Sequence, residues 1–217
     1  LAPKLSQAPE SLESLWSLDA LGAIKELPIT SNDPYIRRWV VKMIGEGHAG
    51  SSDTLVRLAR EEQHLEVCAQ MLATAKRLPA AVALPLLWSG ESEDESGHLQ
   101  LLAWWALESK AEKEREAVFK YFKADPAFLQ TKLFRDHLAE KLAKRYALAG
   151  GEENLNSCAD LLALTNDKAL RGKFIAPDSV LRVVSLPANT ISSHEPSRYS
   201  SLSISPSTCA RAAACSR

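Results

Sequence analysis

The stretch Asp33-Pro34-Tyr35-Ile36-Arg37-Arg38-Trp39-Val40-Val41-Lys42-Met43-Ile44-Gly45 decides the fold class. Asp at the first of these positions can cap free helical N–H groups, and Pro tolerates the first turn of a helix. From there Ile36, Trp39, Val40, Met43 and Ile44 fall at i, i+3, i+4, i+7 and i+8, which is one apolar face of a helix. Gly45 and Gly47 supply the stop.

Outward from this helix the pattern repeats. Upstream, Leu12, Leu15, Trp16, Ile24 and Leu27 mark a loosely periodic amphipathic segment, ended by Pro28 and the polar run Thr30-Ser31-Asn32. Downstream, Ser52-Asp53 opens a short helix with Leu55, Leu58 and Ala59. Another spans residues 65–78 with Val67, Met71, Leu72 and Ala75 inward, stopped by Pro79. Residues 80–88 form a short apolar segment interrupted by Pro85, and residues 90–97, with Glu91, Glu93, Asp94 and Glu95, read as a solvated loop. Residues 99–108 are very apolar and are expected at the centre of the stack. Two longer helices are expected over 111–123 and 126–148, then Gly150-Gly151 and a last helix near 154–164. Before residue 174 no segment alternates apolar and polar residues as a half-buried strand does. The expected class is all-α.

Aligning Ile36, Val67 and Leu101 places apolar residues at +4 (Val40, Met71, Trp105) and +5 (Val41, Leu72, Ala106), with offsets of 31 and 34 residues. This is the layout of a helical-pair solenoid, in which each pair buries its apolar face only against its neighbours. The turn Asp33-Pro34-Tyr35-Ile36-Arg37 resembles the Asp-x-x-Val-Arg turn of HEAT repeats, with Cys68 and Leu102 where the other copies would carry Arg. The expectation is a right-handed HEAT-like solenoid of about four helical pairs over residues 10–174.

The ends differ. The chain starts Leu1-Ala2-Pro3, and residues 1–9 read as the stub of a truncated or processed chain. Residues 175–217 hold 11 Ser and 4 Pro without Gly, a low-complexity tail expected to stay disordered. Two origins for it stand side by side: a true flexible terminus, or an out-of-frame translation, which the ending at residues 209–217 resembles.

Of the 217 residues, 46% are apolar and 24% charged, with formal net charge −1, which excludes a collagen-like or wholly disordered chain and gives no electrostatic pull toward nucleic acid or an anionic membrane. No apolar run approaches the roughly 18 residues of a membrane span. The sequence has no Gly-rich phosphate loop, Gly-x-Ser-x-Gly or His-Glu-x-x-His. The cysteines (Cys68, Cys158, Cys209, Cys215) make neither a Cys-x-x-Cys nor a haem-attachment motif, and Cys68 and Cys158 read as buried free thiols. None of His48, His64, His98, His137 and His194 lies three or four residues from another. His137 with Asp136 and Glu140 is the nearest approach to a metal set, and it reads as an ordinary solvated helix face. Trp104 and Trp105 point about 100° apart on a helix and cannot form one stacking platform; Trp105 is expected in the core and Trp104 between repeats. Glu108 lacks a partner carboxylate. Arg37 and Arg38 are expected to pair with acidic groups or loop carbonyls, and residues 110–116 to be a solvated face of alternating charge. The expected site residues are therefore none, whether catalytic, cofactor-binding or metal-binding.

Three stretches carry a wider resemblance: residues 33–41 with the helices at 55–60 and 65–79; His98-Leu99-Gln100-Leu101-Leu102-Ala103-Trp104-Trp105-Ala106-Leu107-Glu108; and residues 154–172, with Ala159-Asp160-Leu161-Leu162 and Leu170-Arg171-Gly172. Together they resemble the helical-repeat region of large, membrane-bound, exported dehydrogenase-like proteins of planctomycete and verrucomicrobial bacteria. In that family a sorbosone-dehydrogenase-like propeller precedes HEAT-like repeats, and a cytochrome c module with Cys-x-x-Cys-His follows. The resemblance implies a non-catalytic scaffold or interaction segment next to propeller and cytochrome modules, at the periplasm or cell surface, with haem c in the parent protein and no cofactor in these residues. Alternatives are a free-standing HEAT-repeat adaptor that binds a protein, and a HEAT-like DNA glycosylase. The last would need a basic groove, yet residues 1–174 carry 22 basic and 25 acidic side chains.

Overall fold

The structure, a computed structural model, describes residues 11–24, 27–47 and 52–175. The expectations for residues 1–9 and the tail beyond Ile175, and those for His48, His194, Cys209 and Cys215, lie outside the described residues. Those described are helical, without a strand: α1 (Leu12–Ala20), α2 (Pro34–Gly45), α3 (Ser52–Glu61), α4 (Leu65–Ala75), α5 (Ala80–Ala83), α6 (His98–Ala111), α7 (Arg115–Ala124), α8 (Ala139–Ala149), α9 (Gly151–Ala163) and α10 (Lys168–Phe174). Two 3-10 segments (Pro85–Glu91 and Phe128–Gln130) and a π-helical turn (Leu133–Leu138) complete the set. The described residues are all-α.

Local chemistry sets the helix starts. Ser11 and Ser14 form a capping box at α1. At α2, Asp33 Oδ1 accepts the Tyr35 N–H at 2.8 Å with Pro34 in the first position, as the sequence suggested. Asp94 Oδ2 accepts the Leu99 N–H at 2.8 Å and so holds the start of α6 from outside the helix. Asp167 caps α10 through the Ala169 and Leu170 N–H groups.

Each of α2, α4, α6, α8 and α10 packs on the next in that order. The helix α3 packs on the Pro85–Glu91 segment, which in turn lies on α4 and α6, while α9 lies on α8. The buried faces of α2 (Ile36, Val40, Val41, Met43, Ile44) and α4 (Val67, Met71, Leu72, Thr74, Ala75) match at an offset of 31 residues. In α6 the expected register fails. Leu101 and Trp105 are 40% and 44% exposed, and the buried set is Leu99, Ala103, Ala106, Leu107, Lys110 and Ala111. At the expected offset of 34 from α4, only Ala106 falls on a buried position. A slip of a single residue turns a helix by about 100°, enough to exchange core for surface. The signal failed because α6 is apolar nearly all round.

Three further expectations change. The helix expected over 111–123 starts at Arg115, after a turn. The one expected over 126–148 is three pieces: the Thr131 hydroxyl accepts the Phe134 N–H at 3.1 Å, and the Glu91 carboxylate accepts the Leu133 N–H. Glu91 therefore ties the supposed solvated loop, in which Gly90 and Ser92 are buried, to the π-helical turn. Finally, α10 went unread in the sequence. Its Phe174 packs edge-on to Phe134, and Phe134 meets Phe122 and Phe128, an aromatic core with centroids 5.2–6.5 Å apart.

Candidate functional site

The exposed side of α4 and α6 carries two adjoining recesses. The first, about 380 Å³, lies between Leu65, Ala69 and Ala73 of α4 and His98 and Leu102 of α6, with Arg38 of α2 at its edge. Small side chains on α4 leave it open. The second, about 310 Å³, starts one turn further along both helices. Lys76, Trp105, Glu108, Ser109, Glu112, Lys113 and Arg145 line it. Leu101 and Trp105 are one turn apart on α6, so both face this side. With the half-exposed Leu65 they make a broken apolar row on an otherwise charged surface.

The charges around the row are unevenly paired. Arg145 holds both local acids, with its NH2 2.6 Å from Glu112 and its Nε 3.6 Å from Glu108. Lys76 stands 6.0 Å from the Trp105 ring centroid. Neither Lys76 nor Lys113 has an acidic partner among the described residues. Trp104 turns away, half-buried, with Lys141 6.0 Å from its ring. The two tryptophans do diverge, but Trp105 is the exposed one, contrary to the expectation that it fills the core.

No family model, no curated protein and no solved structure matches the chain. The site must be read from its own chemistry.

The residues singled out in the sequence fall mostly into structural contacts. Arg37 meets Glu62 through two parallel bonds, Nε to Oε2 at 2.7 Å and NH2 to Oε1 at 2.9 Å, while its NH1 reaches the carbonyls of Ser31 and Asn32. Burial raises the Glu62 pKa, but the bonds from Arg37 and from the His64 and Gln63 N–H groups outweigh it, and the carboxyl ends below its ordinary range. Arg38 is 3.6 Å from Glu66. Lys110 corrects the expected solvated run at 110–116. It is only 7% exposed, its Nζ donates to the Lys76 carbonyl at 3.3 Å, and Glu114 beside it accepts the Ala80 N–H at 2.8 Å. Those two bonds hold the end of α4 to α6 and the start of α5 to the turn before α7.

Asp136 pairs with Lys173 at 2.8 Å, and His137 lines a separate recess with Glu91, Glu93, Lys132 and Leu133. Among the described residues no three His, Cys, Asp or Glu side chains gather as a metal set. The two described cysteines do not fit covalent haem attachment. Cys68 is wholly buried with its Sγ 3.3 Å from Ser92 Oγ, and burial pushes its thiol pKa up. Cys158 sits on α9 with its Sγ 3.9 Å from the Ala143 carbonyl.

A second polar cluster was not anticipated. Asp125 Oδ2 accepts from Arg60 NH2 at 2.5 Å, Trp88 Nε1 at 2.9 Å and Tyr121 OH at 3.4 Å, while the Arg60 guanidinium lies 4.4 Å from the Trp88 ring centroid. Burial and the Asp125 charge raise the Tyr121 pKa, so its hydroxyl stays a donor. The cluster joins α3, the Pro85–Glu91 segment and α7. Residues so far apart in the chain gave no spacing to read.

Proposed function

We propose that the described helices form a right-handed HEAT-like solenoid that acts as a non-catalytic scaffold, and that its α4–α6 face docks other protein modules. The observation that carries this reading is the exposed row of Leu65, Leu101 and Trp105 on a surface whose neighbouring charges are otherwise mostly paired. The shared register of α2 and α4 and the serial packing from α2 to α10 support a repeat architecture. On the resemblance in residues 33–41, 98–108 and 154–172, the larger setting is an exported dehydrogenase-like protein at the periplasm or cell surface. There the segment would space a propeller from a haem c module. A free-standing adaptor would use the same face.

No helix among the described residues is long and apolar enough to cross a membrane. The test is a photo-crosslinking side chain placed at Leu101 and, as control, at exposed Lys120 on α7, in the protein within its native host. Products whose contacted segment is sequenced, formed from Leu101 and not from Lys120, support the docking face. Equal or absent products from the two positions contradict it.

A further inference from the structure

Trp105 is 44% exposed and lines the second recess of the groove, with Leu101 one turn before it on the same face of α6. Three cations, Lys76, Lys113 and Arg145, and two acids, Glu108 and Glu112, line the recess, an excess of one positive charge. Both acids lie against Arg145, at 3.6 and 2.6 Å, while Lys76 and Lys113 have no acid within ion-pair distance among the described residues. Lys110, the other cation nearby, is buried and committed to Glu114 and the Lys76 carbonyl. We infer that the Trp105 end of the α4–α6 groove binds an acidic segment of a partner protein, one that carries an apolar side chain for Trp105 and carboxylates for Lys76 and Lys113.

The division of labour follows from the kinds of contact. An aromatic side chain in a recess is the usual anchor of an interface, since it offers large area with few rotatable bonds. Exposed ion pairs contribute little affinity each but steer encounter and reject the wrong charge. Trp105 should therefore set the lifetime of the complex. Lys76 and Lys113 should set its preference for acidic partners and its salt dependence. A basic segment would meet a recess that already holds one more positive than negative side chain.

This inference rests on the docking-face reading and narrows it to one partner chemistry. The probe is a pair of fluorescein-labelled amphipathic peptides of about 14 residues, long enough as a helix to span α6 at 1.5 Å per residue. One alternates Leu with Glu at helical spacing and the other has Lys for every Glu. Anisotropy is read with the full chain, with the Trp105→Ala variant and with the double variant Lys76→Glu/Lys113→Glu, each checked for unchanged helical circular dichroism. The acidic peptide is expected to bind at least tenfold tighter than the basic one and to weaken with salt. It should lose at least tenfold on Trp105→Ala, and the double variant should reverse the preference. Equal binding of the two peptides, no binding, or binding indifferent to all three substitutions overturns the inference. Should the segment crosslinked at Leu101 prove basic or uncharged, the acidic assignment fails while the docking face stands. Absence of any crosslink at Leu101 removes both.

Discussion

Arg37 and Glu62 face each other as fork and carboxylate, 2.7 and 2.9 Å apart at their two bonds, at the point where α2, the chain before it and the turn into α4 meet. Glu62 has a side chain only 4% exposed, and it also accepts the N–H groups of Gln63 and His64. One carboxylate thus orders the start of α4 while its partner guanidinium fixes the carbonyls of Ser31 and Asn32. The pair supplies hydrogen-bond partners to backbone groups just before α2 and just before α4 that lie outside the helices' own bonding.

Removing the guanidinium leaves a buried carboxylate without its counter-charge. Arg37→Ala is expected to destabilise the protein by about 3 kcal/mol, the lower end for breaking a buried pair because Arg37 keeps some solvent contact. Urea unfolding followed by circular dichroism measures it, with the midpoint lowered at unchanged slope.

Glu62 also predicts a pH dependence. Its folded pKa lies below its ordinary value, so the stability it contributes is complete above the ordinary carboxylate range and is lost as pH falls through the folded pKa. Stability should decline from about pH 5 downward. In Glu62→Gln that part of the acid slope should be missing, although the variant is less stable at neutral pH. Parallel acid limbs in the two proteins would contradict this origin.

Gly45 and Gly172, both helical, should respond oppositely to alanine. A Cβ on Gly45 would stand 2.5 Å from Thr74 Cγ2, a buried side chain that joins α4 to α2. Around Gly172 nothing lies within 4 Å. Helix propensity alone favours both changes by about 1 kcal/mol. Overpacking typically costs about 1–3 kcal/mol, so Gly45→Ala is expected to destabilise and Gly172→Ala to stabilise. Thermal unfolding midpoints moving down and up respectively are the check.

The Asp125 carboxylate gathers three donors from three elements. Asp125→Ala strands the half-buried Trp88 indole N–H and Tyr121 hydroxyl, and a loss of about 1–2 kcal/mol is expected. Trp88 fluorescence should change with the same substitution, because its N–H loses its acceptor. A variant as stable as the parent, by urea midpoint, would mean that water satisfies these groups equally well.

The sequence was informative where one face of a helix was apolar and the other was not. In α2 and α4 the positions expected to face inward are buried, Trp39 only partly, and the Asp33-Pro34 start is where α2 begins. In α6, Leu99, Leu101, Leu102, Ala103, Trp104, Trp105, Ala106 and Leu107 surround the helix, so periodicity could not choose its phase and Trp105 was assigned to the core. The small Ala103 and Ala106 are the ones buried, and the large Trp105 is left half-exposed. The breaks at 128–138 depend on Glu91, more than 30 residues earlier, and no local pattern reports such a contact. Lys110 looked like one charge in a solvated run because burial of a lysine by a distant carbonyl leaves no mark in the sequence.

The scaffold reading stands or falls on Trp105. The most direct measurement is the affinity of the partner segment crosslinked at Leu101 for the full chain and for Trp105→Ala, with circular dichroism confirming that both fold alike. An exposed tryptophan that anchors an interface should cost at least about 2 kcal/mol when truncated, a loss of roughly thirtyfold in Kd. Unchanged affinity in a folded Trp105→Ala protein would contradict the assignment of this face as the docking surface.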